Sequence, residues 1–179
     1  MTRAIFWDLQ GTLGGEATAN IQDFRPYPFA RAALRLALAH GYLNVIITNQ
    51  SKIGKGLISQ EAYEKTRDAI LAYFNDAEPL VHDFLCCPHT ADDNCRCKKP
   101  RTGLIDDCVK KYRLNITRCC VIGDMGKNEI ILARNAGCKG ILVLTGGGKA
   151  SLGAFRHTWS AYEADLIAEN AYEAVKALI

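Results

Sequence analysis

Ala4-Ile5-Phe6-Trp7 is a run of four apolar residues that ends in Asp8, with Leu9-Gln10-Gly11-Thr12 turning the chain immediately afterwards. An unbroken apolar run bounded by a turn reads as a parallel strand buried on both faces. Such a strand holds Asp8 at its C-terminal end, the edge at which open α/β sheets bind ligands. Taken alone, Asp8 is equally a turn or helix-capping residue, and the remaining chain weights the reading toward function.

Leu13 to Pro28 follows as an aperiodic loop expected to run over that edge. Phe29 to His40 has apolar residues at helical spacing, with Gly41 as its C-terminal cap. Leu43 to Thr48 is a second buried strand, ending in Asn49-Gln50-Ser51, and Lys52 to Ile58 is expected to be an exposed loop. Ser59 opens a helix to about Asn75, and Val81 to Cys86 is a third strand delivering the chain to a polar insert. Helix 103–113, strand 119–124, a helix to about residue 136 and strand 140–144 come next. A flexible glycine segment, a short strand at 164–168 and a last helix at 171–178 complete the chain. Regular alternation of this kind implies a doubly wound, three-layer α/β/α fold of Rossmann type with a mostly parallel sheet.

At 179 residues the chain is long enough for one well-buried core, so 1–179 reads as one domain with an insert at 86–99. Hydrophobic residues at 49% and charged residues at 23% are ordinary for a soluble globular protein. The net charge of +3 is too small and dispersed to argue for nucleic acid. Lys98, Lys99 and Arg101 form one tight basic cluster, suited to an anionic small molecule. Neither a signal peptide nor a membrane-length apolar stretch is present, so a cytoplasmic protein is the default, as a monomer or weak homodimer.

Eight cysteines in such a chain read as metal ligands and core thiols rather than disulfides. Cys86, Cys108, Cys119 and Cys120 lie in or beside apolar segments and are expected to be buried; Cys138 has no evident role. Cys87, His89, Cys95 and Cys97 supply three thiolates and one imidazole, a closed tetrahedral set for a structural zinc ion. His40, His82 and His157 are isolated and read as structural. Gly146-Gly147-Gly148-Lys149 lacks P-loop spacing.

Three strands end in polar groups: Asp8, Thr48-Asn49, and Gly123-Asp124 with Asn128 one turn on. Converging at one sheet edge, two carboxylates and an amide form an oxygen-rich site suited to magnesium, and Lys99 adds positive charge for an anionic substrate. The set resembles the haloacid dehalogenase superfamily of phosphohydrolases along nearly the whole chain. The family's Asp-x-Asp-Gly-Thr is here Asp8-Leu9-Gln10-Gly11-Thr12, its strand-ending Thr is Thr48, its Lys is Lys99, and its Gly-Asp-x-x-x-Asp is Gly123-Asp124-Met125-Gly126-Lys127-Asn128. The zinc loop running into Cys-x-Cys-x-Lys-Pro is similar to the branch containing histidinol-phosphate and heptose-bisphosphate phosphatases, in which a small loop replaces a large cap domain.

The resemblance implies that Asp8 is a nucleophile forming an aspartyl phosphate. Thr48, Asn49 and Lys99 would hold the phosphoryl oxygens. Asp8, the Gln10 carbonyl, Asp124 and Asn128 would hold magnesium, and the substrate would be a small phosphorylated metabolite. Asn49, Gln50, Ser51, Lys98, Lys52 and Lys55 are candidate substrate contacts.

Two positions depart from the pattern. Gln10 replaces the acid that protonates the leaving oxygen and activates water, and Asn128 replaces a carboxylate; Glu16, Asp23 and Glu129 are the remaining acids that could relay a proton. Three readings follow: a phosphatase of reduced or atypical turnover, a catalytically silent phosphate- or partner-binding protein, and a phosphotransferase or stalled phospho-Asp8 switch.

Overall fold

The computed structural model describes residues 2–179 and builds one six-stranded sheet. The strands are β1 (Arg3–Trp7), β2 (Tyr42–Asn49), β3 (Asp83–Cys87), β4 (Cys120–Gly123), β5 (Lys139–Val143) and β6 (Leu166–Ala168). They run in the order β3-β2-β1-β4-β5-β6, and every neighbouring pair is parallel. From β1 the chain winds outward to β3, then returns to the other side of β1 as β4. The order therefore reverses between β1 and β4, the place where such sheets open a crevice.

Alternation along β1 assigns the two faces. Ile5 and Trp7 pack with residues of α1 (Ala30–Ala39), α3 (Gln60–Phe74) and α7 (Ala171–Leu178). Ala4 and Phe6 face α4 (Gly103–Tyr112) and α5 (Glu129–Ala136). The three-layer arrangement thus follows from a strand whose side chains are fully buried on both sides. One polar group crosses this core: Asn44 Oδ1 accepts from Trp7 Nε1 at 3.0 Å, and its Nδ2 donates to the Leu34 and Leu80 carbonyls at 2.8 Å. A buried amide satisfied on every side fixes the register of β1 against β2.

Local chemistry sets the helix ends as read. Ser59 Oγ accepts from Ala62 N to start α3. Gly41 turns the chain after α1 at φ +75°, a conformation that costs glycine little. No helix among the described residues is long and apolar enough to cross a membrane.

Several expectations shift. Ser51–Gly54 is a short helix, α2, so the polar 52–58 stretch is not all loop. Gly148–Leu152 forms α6 where a flexible segment is expected, and its first residue sits tightly against the Val143 carbonyl. Cys87 completes β3 and is buried, whereas Cys86 is only partly so. Cys138 packs in the α4–α5 face of the core.

Candidate active site

The ladder between β1 and β4 continues one residue past β1, because Asp8 N donates to the Ile122 carbonyl at 2.9 Å. This fixes Asp8 at the mouth of the crevice, 8% exposed. Lys99 Nζ donates to Asp8 Oδ1 at 2.5 Å and Thr12 Oγ1 to Oδ2 at 3.3 Å. The same ammonium reaches Glu129 Oε1 at 2.9 Å and the Ile47 carbonyl at 3.0 Å. Burial alone would strip its proton, but Asp8 and Glu129 outweigh that effect and hold the Lys99 pKa above the usual lysine value. Burial pushes Glu129 up to about 7, against the pull of Lys99.

Asp124 follows β4 and is almost fully buried. Burial, then repulsion from Asp8 and Glu129, pushes its pKa up to about 8. Its Oδ2 accepts from Gly147 N at 2.7 Å. Gly11, at φ +86°, lies so close that a Cβ there would come within 2.1 Å of Asp124 Oδ2. The two strand-end acids are thereby pressed together by a turn that needs glycine. Asp8 and Glu129 share one buried ammonium, and Asp124 stands beside them as a third buried carboxyl. This surplus of negative oxygen is a donor set that fits a divalent cation preferring few carboxylates and retained water. Asn128, at the start of α5, lines the same cleft of about 300 Å³, together with Thr48, Asn49, Lys98 and Lys127.

The structure redistributes several candidate contacts. Asn49 spends its amide on the Lys99 backbone, donating from Nδ2 to its carbonyl at 3.2 Å and accepting from its N–H at 3.0 Å. Gln50 is buried and donates to Gln10 Oε1 at 2.8 Å and Thr48 Oγ1 at 2.9 Å. Ser51 receives a hydrogen bond from Lys98 Nζ, which also reaches the His89 carbonyl at 3.2 Å. Lys52 is occupied by the Thr18 carbonyl at 3.1 Å and Asn20 Oδ1 at 2.7 Å, tying down the 16–20 loop, and Lys55 is an exposed residue outside the cleft. Gln50, Ser51, Lys52 and Lys55 do not line the cleft, whereas Asn49 and Lys98 do.

Glu129 is the acid that sequence reasoning placed least well. It is the partner of Lys99, and its Oε2 accepts from Met125 N at 3.0 Å. Its signal was its spacing, one residue beyond Asn128 in the stretch after Asp124. Lys127, inside the same motif, also lines the cleft. Asp23 is exposed outside the cleft, and Glu16 faces a neighbouring cavity.

Beside the cleft, Cys87, His89, Cys95 and Cys97 bring their ligand atoms within 4.8 Å of one another. Cys87 Sγ lies 3.6 Å from His89 Nδ1 and from Cys95 Sγ, and His89 Nδ1 lies 3.2 Å from Cys97 Sγ. Separations of this size are those of a tetrahedron around one zinc-sized ion with sulfur and nitrogen ligands. Lys98 and Lys99 follow Cys97 directly, so the Cys–His loop delivers both lysines to the cleft.

A doubly wound parallel sheet with an Asp–Lys–Glu cluster at its switch point defines an α/β protein with a charged ligand site at its strand ends. The HAD-hydrolase-like family model matches residues 96–174. A probable D-glycero-D-manno-heptose-1,7-bisphosphate 7-phosphatase of Thermoplasma acidophilum is 32% identical over 137 residues, covering 75% of this chain and 86% of that protein. The histidine biosynthesis bifunctional protein HisB of Buchnera aphidicola is 32% identical over 146 residues, which span 78% of this chain and 40% of that protein. Among solved structures, D,D-heptose 1,7-bisphosphate phosphatase from B. bronchiseptica superposes with a TM-score of 0.87 at 24% identity, covering 99% of this chain and 98% of that one. The chain belongs to the haloacid dehalogenase superfamily of phosphatases, in the branch that holds the heptose-bisphosphate and histidinol-phosphate enzymes.

Proposed function

We propose that the chain is a magnesium-dependent phosphohydrolase acting on a small phosphate monoester, a sugar phosphate or a histidinol-phosphate-like compound, through an aspartyl phosphate on Asp8. The observation that carries this is the buried Lys99 bridging Asp8 and Glu129 at the end of β1. An ammonium at that place orients the Asp8 carboxylate and stands beside the incoming phosphoryl oxygens. Thr48 Oγ1 already accepts from Gln50, which leaves its own hydroxyl proton free to donate to a phosphoryl oxygen. Asn49 acts by fixing the Lys99 backbone. Asp8, the Gln10 carbonyl and Asp124 would hold magnesium with Asn128 alongside, and the ion when bound supplies charge neutralisation between carboxylate and phosphate.

The reaction as proposed forms a bond from an Asp8 carboxylate oxygen to phosphorus as the ester oxygen departs, and water then displaces Asp8 to release phosphate. Zinc held by Cys87, His89, Cys95 and Cys97 has a structural role in this reading, with no open coordination position. The test is phosphate release from a panel of sugar phosphates, histidinol phosphate and an aryl phosphate in the presence of Mg²⁺. Turnover by wild type that is abolished in Asp8→Asn supports the reading. Binding of phosphate without turnover of any compound would favour a catalytically silent binding protein, the reading that Gln10 supports.

A further inference from the structure

Gln10 stands two residues beyond Asp8 and its side chain is consumed by structure. Its Oε1 accepts from Gln50 Nε2 at 2.8 Å, while Nε2 donates to the Ala19 carbonyl at 3.0 Å and the Glu16 carbonyl at 3.3 Å. An amide neither gives nor takes a proton near neutral pH. With donor and acceptor both engaged, this one pins the 16–19 loop beside the cleft and does no proton chemistry.

No carboxylate or imidazole lining the cleft takes over. Glu129 has one oxygen on Lys99 and the other on Met125 N, and Asp124 is turned to Gly147 N and the Gly11 turn. Lys99 is clamped between two carboxylates, and Lys98 is held on Ser51 and the His89 carbonyl. No histidine lines the cleft among the described residues. The exposed Glu16 side chain lines an adjoining cavity of about 600 Å³ rather than the cleft, with Ala17, Thr18, Met125 and Lys127 common to both.

We infer that this site turns over phosphoryl donors whose leaving group departs as a stable anion, acyl phosphates and phosphoanhydrides well ahead of alkyl phosphates. The inference rests on Asp8 being the nucleophile, as proposed above, and ranks the sugar and histidinol phosphates named there as slow substrates. In the first step an Asp8 oxygen bonds to phosphorus and the bridging P–O bond breaks. The electron pair leaves on the departing carboxylate or phosphate, which needs no proton. In the second step water attacks phosphorus, the P–O bond to Asp8 breaks, and its electron pair restores the Asp8 carboxylate. The proton from water passes to the phosphate oxygen or to solvent. An alkoxide leaving group would require a proton during the first step, the place where a general acid contributes on the order of 10²- to 10⁴-fold.

The experiment measures kcat/KM of the full chain with Mg²⁺ for acetyl phosphate, pyrophosphate, phenyl phosphates graded by phenol acidity, and glucose 6-phosphate. Wild type is compared with Gln10→Glu and Gln10→Asp, and Asp8→Asn serves as the blank. The expected result is a steep fall of wild-type kcat/KM as the phenol becomes less acidic. Either carboxylate variant should flatten that fall and gain on the poorest leaving groups by on the order of 10²-fold or more. If neither variant folds, the wild-type slope decides by itself. A shallow wild-type slope with Asp8-dependent turnover overturns the inference and leaves the phosphatase reading standing; a slope that then steepens in Glu16→Gln would assign the proton to Glu16. Failure of wild type to turn over any of these donors overturns the phosphatase reading itself.

Discussion

Lys99 is the residue on which the site balances. It is 3% exposed, carries an ammonium, and has a carboxylate on either side at 2.5 and 2.9 Å. Replacing it with methionine fills similar space with a flexible apolar chain but leaves Asp8 and Glu129 facing each other without a cation. Breaking a buried ion pair from one side typically costs about 3–5 kcal/mol. Lys99→Met should therefore shift the urea midpoint down by that equivalent and abolish phosphate release; an unchanged midpoint would show that the two carboxylates relax into solvent. Asp8 and Lys99 were legible in the sequence, since each stands in a short motif with few other roles open to it. Glu129 and Gln50 were harder to read, because whether the first residue of a helix or the residue after a strand turns inward depends on packing that no local pattern records.

At the scale of elements, the Cys–His loop is what brings both lysines to the cleft. β3 hands the chain to Cys87, and Arg101 holds the loop by donating to the Cys95 carbonyl and Asn94 Oδ1. Its ligand spacing was legible because few other structures need three thiols and an imidazole so close together. The short helices α2 and α6 were not, because Gly54, Gly56 and the Gly146–Gly148 run read as flexible until tertiary contact fixes them. Cys95→Ala should reduce bound zinc from about one equivalent to near none and lower phosphate release, because the Lys98–Lys99 segment loses its anchor. Metal analysis alongside the activity assay checks this, and full activity without zinc would refute it. The edge of the sheet carries a pH effect of its own. His82 Nδ1 accepts from Asn44 N at 3.1 Å, and partial burial of the ring in an otherwise exposed residue lowers its pKa below the ordinary histidine value. A lowered folded-state pKa means that the unfolded chain binds the proton first. Stability is thus present above about pH 6.5 and is lost as pH falls through the folded-state value. Melting curves from about pH 7.5 to 5 should show the wild type losing ground relative to His82→Gln on the acid side.

The whole molecule explains why residues as distant in sequence as Asp8, Lys99 and Asp124 meet. Returning the chain from β3 to the far side of β1 places the ends of β1 and β4 side by side, and the alternating pattern of buried strands and amphipathic helices made that topology readable. The number of charges brought together there was not readable, since it depends on Glu129 pointing inward from α5. Burial, then repulsion from Asp8 and Glu129, raises the Asp124 pKa to about 8, so without a cation this carboxyl keeps its proton at neutral pH. A bound divalent cation should relieve that repulsion and so bind the folded chain far better than the unfolded one. Ligand present at about 100 times its dissociation constant stabilises by about 2.7 kcal/mol, which for a chain of this size is roughly 5–11 °C in melting temperature. Mg²⁺ titration followed by thermal unfolding should show a rise of this order in wild type. Asp124→Asn should lose most of it, because the amide retains the shape but removes both the charge and the repulsion the cation would relieve. The same variant should melt higher than wild type without Mg²⁺, so the two curves are expected to cross as the ion is added. Parallel curves would mean that the cation does not displace the proton from Asp124 and has no part in holding the site together.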